Sequence, residues 1–176
     1  MPLYAPTIFF SAFLLFLIQP IIAKQILPWF GGSASVWTTA LVFFQVTLLA
    51  GYAYCDATTR RMSRRAQVAL HLLLLALSVA FLPVMADAAW KPVGTENPSF
   101  RILGLLAATI GLPFFLLSST GPMVQAWFAH AFVEKRVYRL FALSNLASLL
   151  GLVCYPFLIE PWINMESQVL IWSIGY

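Results

Sequence analysis

Two histidines and two cysteines are the first residues to weigh for chemistry. His71 and His130 lie far apart with no second imidazole at ligand spacing, and Cys55 and Cys154 have no companions that would make a disulfide framework or a zinc site. Each histidine fits a hydrogen-bonded packing role better than a metal or haem site, which needs paired ligands. No Gly-rich phosphate or dinucleotide loop, HExxH helix or G-x-S-x-G elbow is present in the sequence. No catalytic, cofactor-binding or metal-ligating residue is therefore assigned, and no cofactor is expected.

A second group is defined by its surroundings. Gln19, Gln45, Ser144 and Asn145 interrupt long apolar runs, where a polar group without a partner is costly in hydrocarbon. Interhelical hydrogen bonding is the expected use, and contact with a solute is the alternative. Ser144 and Ser148, and Ala147 and Gly151, are small residues four apart, a spacing that lets one helix press closely on another. Lys24 and Glu160 close the far ends of two runs. They can form an ion pair, although separate snorkelling to water is the expected arrangement; if paired in a partly dehydrated place, they could contact a solute or coupling ion.

These residues must be positioned by helices in lipid. Of 176 residues, 61% are hydrophobic and 9% charged, and the mean hydropathy is +0.87. A soluble domain carries about 25% charged residues, so the chain has too little polar surface to cover a globule in water. About 20 apolar residues cross the hydrocarbon of a bilayer. Five stretches meet that length: Tyr4–Ile22, Val36–Tyr54, Ala66–Leu82, Ile102–Thr120 and Leu140–Ile159. A sixth run occupies Val169–Tyr176 and is read as a truncated span. The predicted fold is all-α: one polytopic transmembrane helix bundle over residues 1–176. No cleavable signal peptide is evident, because no Lys or Arg precedes the first run.

Boundaries have their own signals. Ser33 or Ser35 can cap the second span and Ser99 the fourth, and Asn164 with Glu166 suits the start of the sixth. Pro20 and Pro113 should bend their helices. Gly121-Pro122 either opens an interfacial helix over residues 122–133 or kinks an extension of the fourth span.

Orientation follows from the basic residues. Arg60, Arg61, Arg64, Arg65, Lys135, Arg136 and Arg139 lie in alternate connections on one side, and Lys24, Lys91 and Arg101 lie on the other. The positive-inside rule places the first group, and the N-terminus, in the cytoplasm. Asp87, Glu96, Glu160 and Glu166 then fall outside, and Trp29, Trp37, Trp90, Trp162 and Trp172 form an outer aromatic belt, with Trp127 inside. The net charge of +4 is a topology signal, and no nucleic-acid partner is expected.

Three blocks carry a family resemblance: FFSAFLLFLIQPIIAKQILPWFGGSASVWTTALVFFQVTLLAGYAY at Phe9–Tyr54, LPFFLLSSTGPMVQAWFA at Leu112–Ala129, and YRLFALSNLASLLGLVCYPFLIEPW at Tyr138–Trp162. The chain resembles the membrane domain of the bacterial spermidine-synthase-like (fused transporter-like/spermidine synthase) family. The resemblance implies a multi-pass domain of the bacterial inner membrane that, in longer relatives, precedes a cytoplasmic aminopropyltransferase-like domain. The Gly-rich loop and acidic residues of that catalytic domain have no counterparts here, so an enzyme is not expected from these residues alone. The expected role is a non-catalytic membrane anchor or accessory subunit, with the lipid bilayer and other membrane protein chains, or a C-terminal continuation, as partners. Part of a small-solute transporter, for instance for polyamines, is the alternative; the position of all six acids near span ends or in loops weakens it.

Overall fold

The computed structural model describes residues 3–92, 98–131 and 137–176. Helix α1 spans Tyr4–Ile26 and α2 Ala34–Arg61, joined by a turn in which Gly31 and Gly32 take φ of 87° and 61°. Only glycine enters that region without strain. Helix α3 covers Arg64–Ser78 and runs into a 3-10 turn at Val79–Phe81. It begins at Ser63, whose hydroxyl accepts from the Ala66 amide at 3.4 Å.

Helix α4 (Pro98–Leu106) passes through a π turn (Ala107–Gly111) into α5 (Leu112–Ala131). Helix α6 (Tyr138–Cys154) likewise ends in a π turn, Tyr155–Ile159, and α7 covers Met165–Gly175. Pro156 lies in the second π turn, and Pro113 follows the first by two residues, in α5. The ring at Pro113 or Pro156 removes one N–H from the i→i−4 ladder, and the wider i→i−5 spacing accommodates the loss, as in the Glu160 N–H to Tyr155 carbonyl bond of 2.8 Å.

Among the described residues, five helical stretches are long and apolar enough to cross a membrane: Tyr4–Ile26, Ala34–Arg61, Arg64–Phe81, Pro98–Ala131 and Tyr138–Ile159. No strand occurs among the described residues. The fourth stretch has 34 residues, about 50 Å at 1.5 Å per residue. It continues through Gly121-Pro122, so Pro122 opens no separate interfacial helix; the break is only the missing proline N–H. Phe132 and Val133 of that expected segment, together with Lys135, Arg136 and Glu96, lie outside the described residues.

The middle of the bundle is α1 against the α4–α5 rod, with α6 on α1, α2 on α4 and α5, α3 on α5, and α7 on α1. Ile18, Ile21 and Ile22 of α1 meet Ile102, Leu105, Ile110 and Phe114 of the rod in one core, joined by Phe44 of α2. Glycines set the closest approaches. A methyl on Gly151 of α6 would stand 2.7 Å from the Phe13 carbonyl oxygen of α1, and one on Gly51 of α2 would overlap Ser118 Oγ of α5.

The connection after α3 is tied down by side chains. Gln25 Oε1 accepts from the Ala86 amide at 3.1 Å, and Arg101 donates to the carbonyls of Trp90 and Ala89. Lys91 lies over the Trp29 ring at 5.3 Å. These contacts form one end of the bundle. The other carries Arg60, Arg61, Arg64, Arg65 and Arg139, of which Arg60 pairs with Asp56 at 2.8 Å.

Candidate functional site

Helix α3 is inside out relative to a helix of a water-soluble protein. Its buried residues are Gln67, His71 and Ser78, while Leu72, Leu73 and Leu77 are exposed. Spacings of four and seven put the three polar residues on one face. Each finds a partner on another helix. Gln67 Oε1 accepts from Trp127 Nε1 at 2.8 Å, while its amide nitrogen donates to the Met62 carbonyl at 2.9 Å. His71 Nε2 meets Thr120 Oγ1 at 3.0 Å, and Ser78 Oγ meets the Tyr176 hydroxyl at 2.6 Å. The Tyr54 ring stacks beside His71, 6.2 Å between centroids. A face of this kind suits a helix with hydrocarbon outside and protein inside.

None of these contacts was assigned from the sequence. They were discoverable in principle, because Gln67, His71 and Ser78 repeat at helical spacing within a run of leucines.

The residues singled out in the sequence fall elsewhere. Gln19 is half-buried, and Gln45 and Asn145 are exposed on α2 and α6. Their side chains make no hydrogen bond among the described residues, nor does the Ser144 hydroxyl, contrary to the expected interhelical bonding. Gln45 and Asn145 lie on α2 and α6, which flank the α1–α5 centre and pack chiefly on α5 and α1 rather than on each other. Ala147 is fully buried and Gly151 lies on the α1 backbone. Ser148 bonds within its own helix, to the Ser144 carbonyl at 2.9 Å.

Between those flanks lies a cleft of about 190 Å³. Its floor is α1 and α5 (Ser11, Leu15, Ser118, Gly121), and its walls are Tyr52 of α2 and Ser144, Asn145 and Ser148 of α6. Ser11 and Ser118 donate to carbonyls of their own helices, Ile8 and Phe115, at 3.2 and 2.7 Å. Their oxygens keep the capacity to accept, and Ser144 and Asn145 keep donors as well. Gln45, two turns from Tyr52 along one face of α2, extends the polar line. The cleft thus presents hydroxyls and an amide, with no carboxylate among its described lining residues, and can hydrogen-bond an uncharged polar group.

At the opposite end Lys24 Nζ and Glu160 Oε1 form an ion pair at 2.9 Å, each about two-fifths exposed. The expectation of separate snorkelling is corrected. Lys24 ends α1 and Glu160 follows the π turn of α6, so the tight α1–α6 seam delivers both to one place. Exposed pairs of this kind contribute about 0–1 kcal/mol. Trp172 is corrected too: it is 1% exposed, its Nε1 donates to the Leu14 carbonyl at 2.9 Å, and it stacks on Tyr176, so it is no part of an exposed aromatic belt. Trp162 and Trp37 are exposed. Ser33 precedes α2 without capping it through its side chain and pairs with Ser35 instead, and Ser99 sits inside the first turn of α4, where it accepts from Thr39. Both cysteines are free thiols.

Comparison with protein-family models, with curated proteins and with solved structures finds no match to this chain.

Proposed function

We propose that this chain is a non-catalytic, multi-pass module of the bacterial inner membrane, N-terminus in the cytoplasm, that serves as an anchor or accessory subunit by seating a further membrane helix between α2 and α6. The membrane reading is supported by five apolar helices and by the leucine exterior of α3. The orientation is supported by the clustering of Arg60, Arg61, Arg64, Arg65 and Arg139 at one end. The resemblance to the spermidine-synthase-like membrane domain points to the same role.

One observation carries the partner. Tyr52, Ser144 and Asn145 line the groove between α2 and α6, and Gln45 is exposed two turns from Tyr52 on α2; together they carry hydrogen-bonding capacity that lipid tails cannot meet and that a neighbouring helix can. A photo-crosslinker in place of Asn145 should give a protein adduct in native membranes, and one in place of Leu73, on the leucine face of α3, should give lipid adducts only. Equal behaviour of the two positions would count against a partner at the groove. For orientation, Ser63→Cys should be labelled only from the cytoplasm and Ser35→Cys only from outside.

A small-solute route is the second reading, favoured by the cleft itself. Its hydroxyls and amide suit an uncharged polar solute. A polyamine, whose ammonium groups call for carboxylates, fits it poorly.

A further inference from the structure

A second cavity, about 200 Å³, lies between α1, the end of α6 and α7. Its walls are apolar: Phe13, Leu17 and Ile21 of α1, Ile159 and Trp172. One lining residue is not. Gln168 is 3% exposed, its Nε2 donates to the Ile163 carbonyl at 2.7 Å, and its Oε1 is buried without a hydrogen-bond partner. Because a carbonyl only accepts, the Ile163 bond fixes which end of the amide is nitrogen. The free group is therefore an acceptor, and what completes it must carry an O–H or N–H.

Position and chemistry narrow the occupant. Gln168 sits one turn inside the Asn164 cap of α7, close to the bundle end that carries the Lys24–Glu160 pair and the exposed Trp162. From there the cavity follows α7 to Gly175, about 10 Å further toward the middle of the bundle. A polar acceptor at the top and an apolar slot beneath it match an amphiphile lying along the membrane normal.

We infer that this slot binds one membrane lipid, with a headgroup O–H or N–H on Gln168 Oε1 and an acyl chain running past Trp172 to Gly175. The inference rests on membrane insertion and is independent of the partner proposed for the α2–α6 groove. Lipids with donors in the headgroup, such as phosphatidylethanolamine and phosphatidylglycerol, should be held more tightly than phosphatidylcholine, which has none.

The test is native mass spectrometry of the delipidated 176-residue chain dosed with each of these three lipids, all with dioleoyl tails. The wild type should retain one phosphatidylethanolamine or phosphatidylglycerol molecule about 2- to 10-fold more strongly than phosphatidylcholine, the span of a single net hydrogen bond. Gln168→Leu should abolish that preference. Gly175→Phe, which removes no hydrogen bond and whose first side-chain atom would meet Leu14 at an ordinary 3.5 Å, should fill the slot and lower retention of all three lipids, so the test survives if Gln168→Leu fails to fold. Equal retention of the three lipids by the wild type, or undiminished retention in Gly175→Phe, overturns the proposal.

Discussion

The outward face of α3 and the flank between α2 and α6 face the same surroundings, yet they are built in opposite ways. On α3 the polar residues turn inward and are bonded to other helices, Gln67 to Trp127, His71 to Thr120 and Ser78 to Tyr176, leaving leucines outside. On the other flank Gln45, Tyr52 and Asn145 are exposed. The α3 surface is complete in hydrocarbon, and the α2–α6 surface is complete only against something that hydrogen-bonds. In the function proposed above, polar residues that hold the fold are separate from polar residues left for contact with another molecule.

That separation can be tested by where a substitution is felt. The largest effect is expected at Gly151, which holds α6 on α1 and so sets one wall of the groove. Gly151→Ala would place a methyl 2.7 Å from the Phe13 carbonyl and 3.3 Å from the Leu17 nitrogen, both backbone atoms. Overpacking of this sort costs about 1–3 kcal/mol, read as a loss of stability in mixed-micelle unfolding, together with loss of association. Gly51→Ala should be milder and partly rescued by Ser118→Ala, because the nearest obstacle is a side-chain hydroxyl.

Next in size is Gln67→Leu, which leaves the Trp127 N–H without its acceptor and should cost about 1–3 kcal/mol while the fraction that folds associates normally. Thr120→Val removes the partner of His71 Nε2 and should cost about 0.6 kcal/mol, the average for an interhelical bond in a membrane bundle. The smallest effect on the fold is expected from Asn145→Leu, within about 0.5 kcal/mol of wild type, with association reduced. A fold loss at Asn145 as large as that at Gln67 would erase the distinction between the two faces.

Much of the architecture was readable from residue type alone. Runs of apolar residues mark the spans because only a continuous helix satisfies its backbone in lipid, and the arginines of the α2–α3 turn mark one end. The π turns were not readable. Pro113 and Pro156 announce a missing N–H, but whether a helix kinks, breaks or slips to wider spacing depends on its neighbours. The polar seams divided in the same way. Ser144, Ala147, Ser148 and Gly151 announce close packing by spacing, yet which of Gln45, Gln67, His71 and Asn145 turns inward depends on where α5 lies. For the same reason the choice between pairing and separate snorkelling for Lys24 and Glu160, and the burial of Trp172, are decided only in the assembled bundle: each contact joins residues more than 100 positions apart.

The most direct measurement is the protein mass of the chain extracted from native membranes in mild detergent, by light scattering with the detergent contribution removed, for the wild type and for Gln45→Leu/Asn145→Leu. The wild type should run as an assembly heavier than its own 19.6 kDa, and the double variant should fall to that mass with its unfolding unchanged. A monodisperse wild type at 19.6 kDa would contradict the account of a module whose α2–α6 flank is made for a partner.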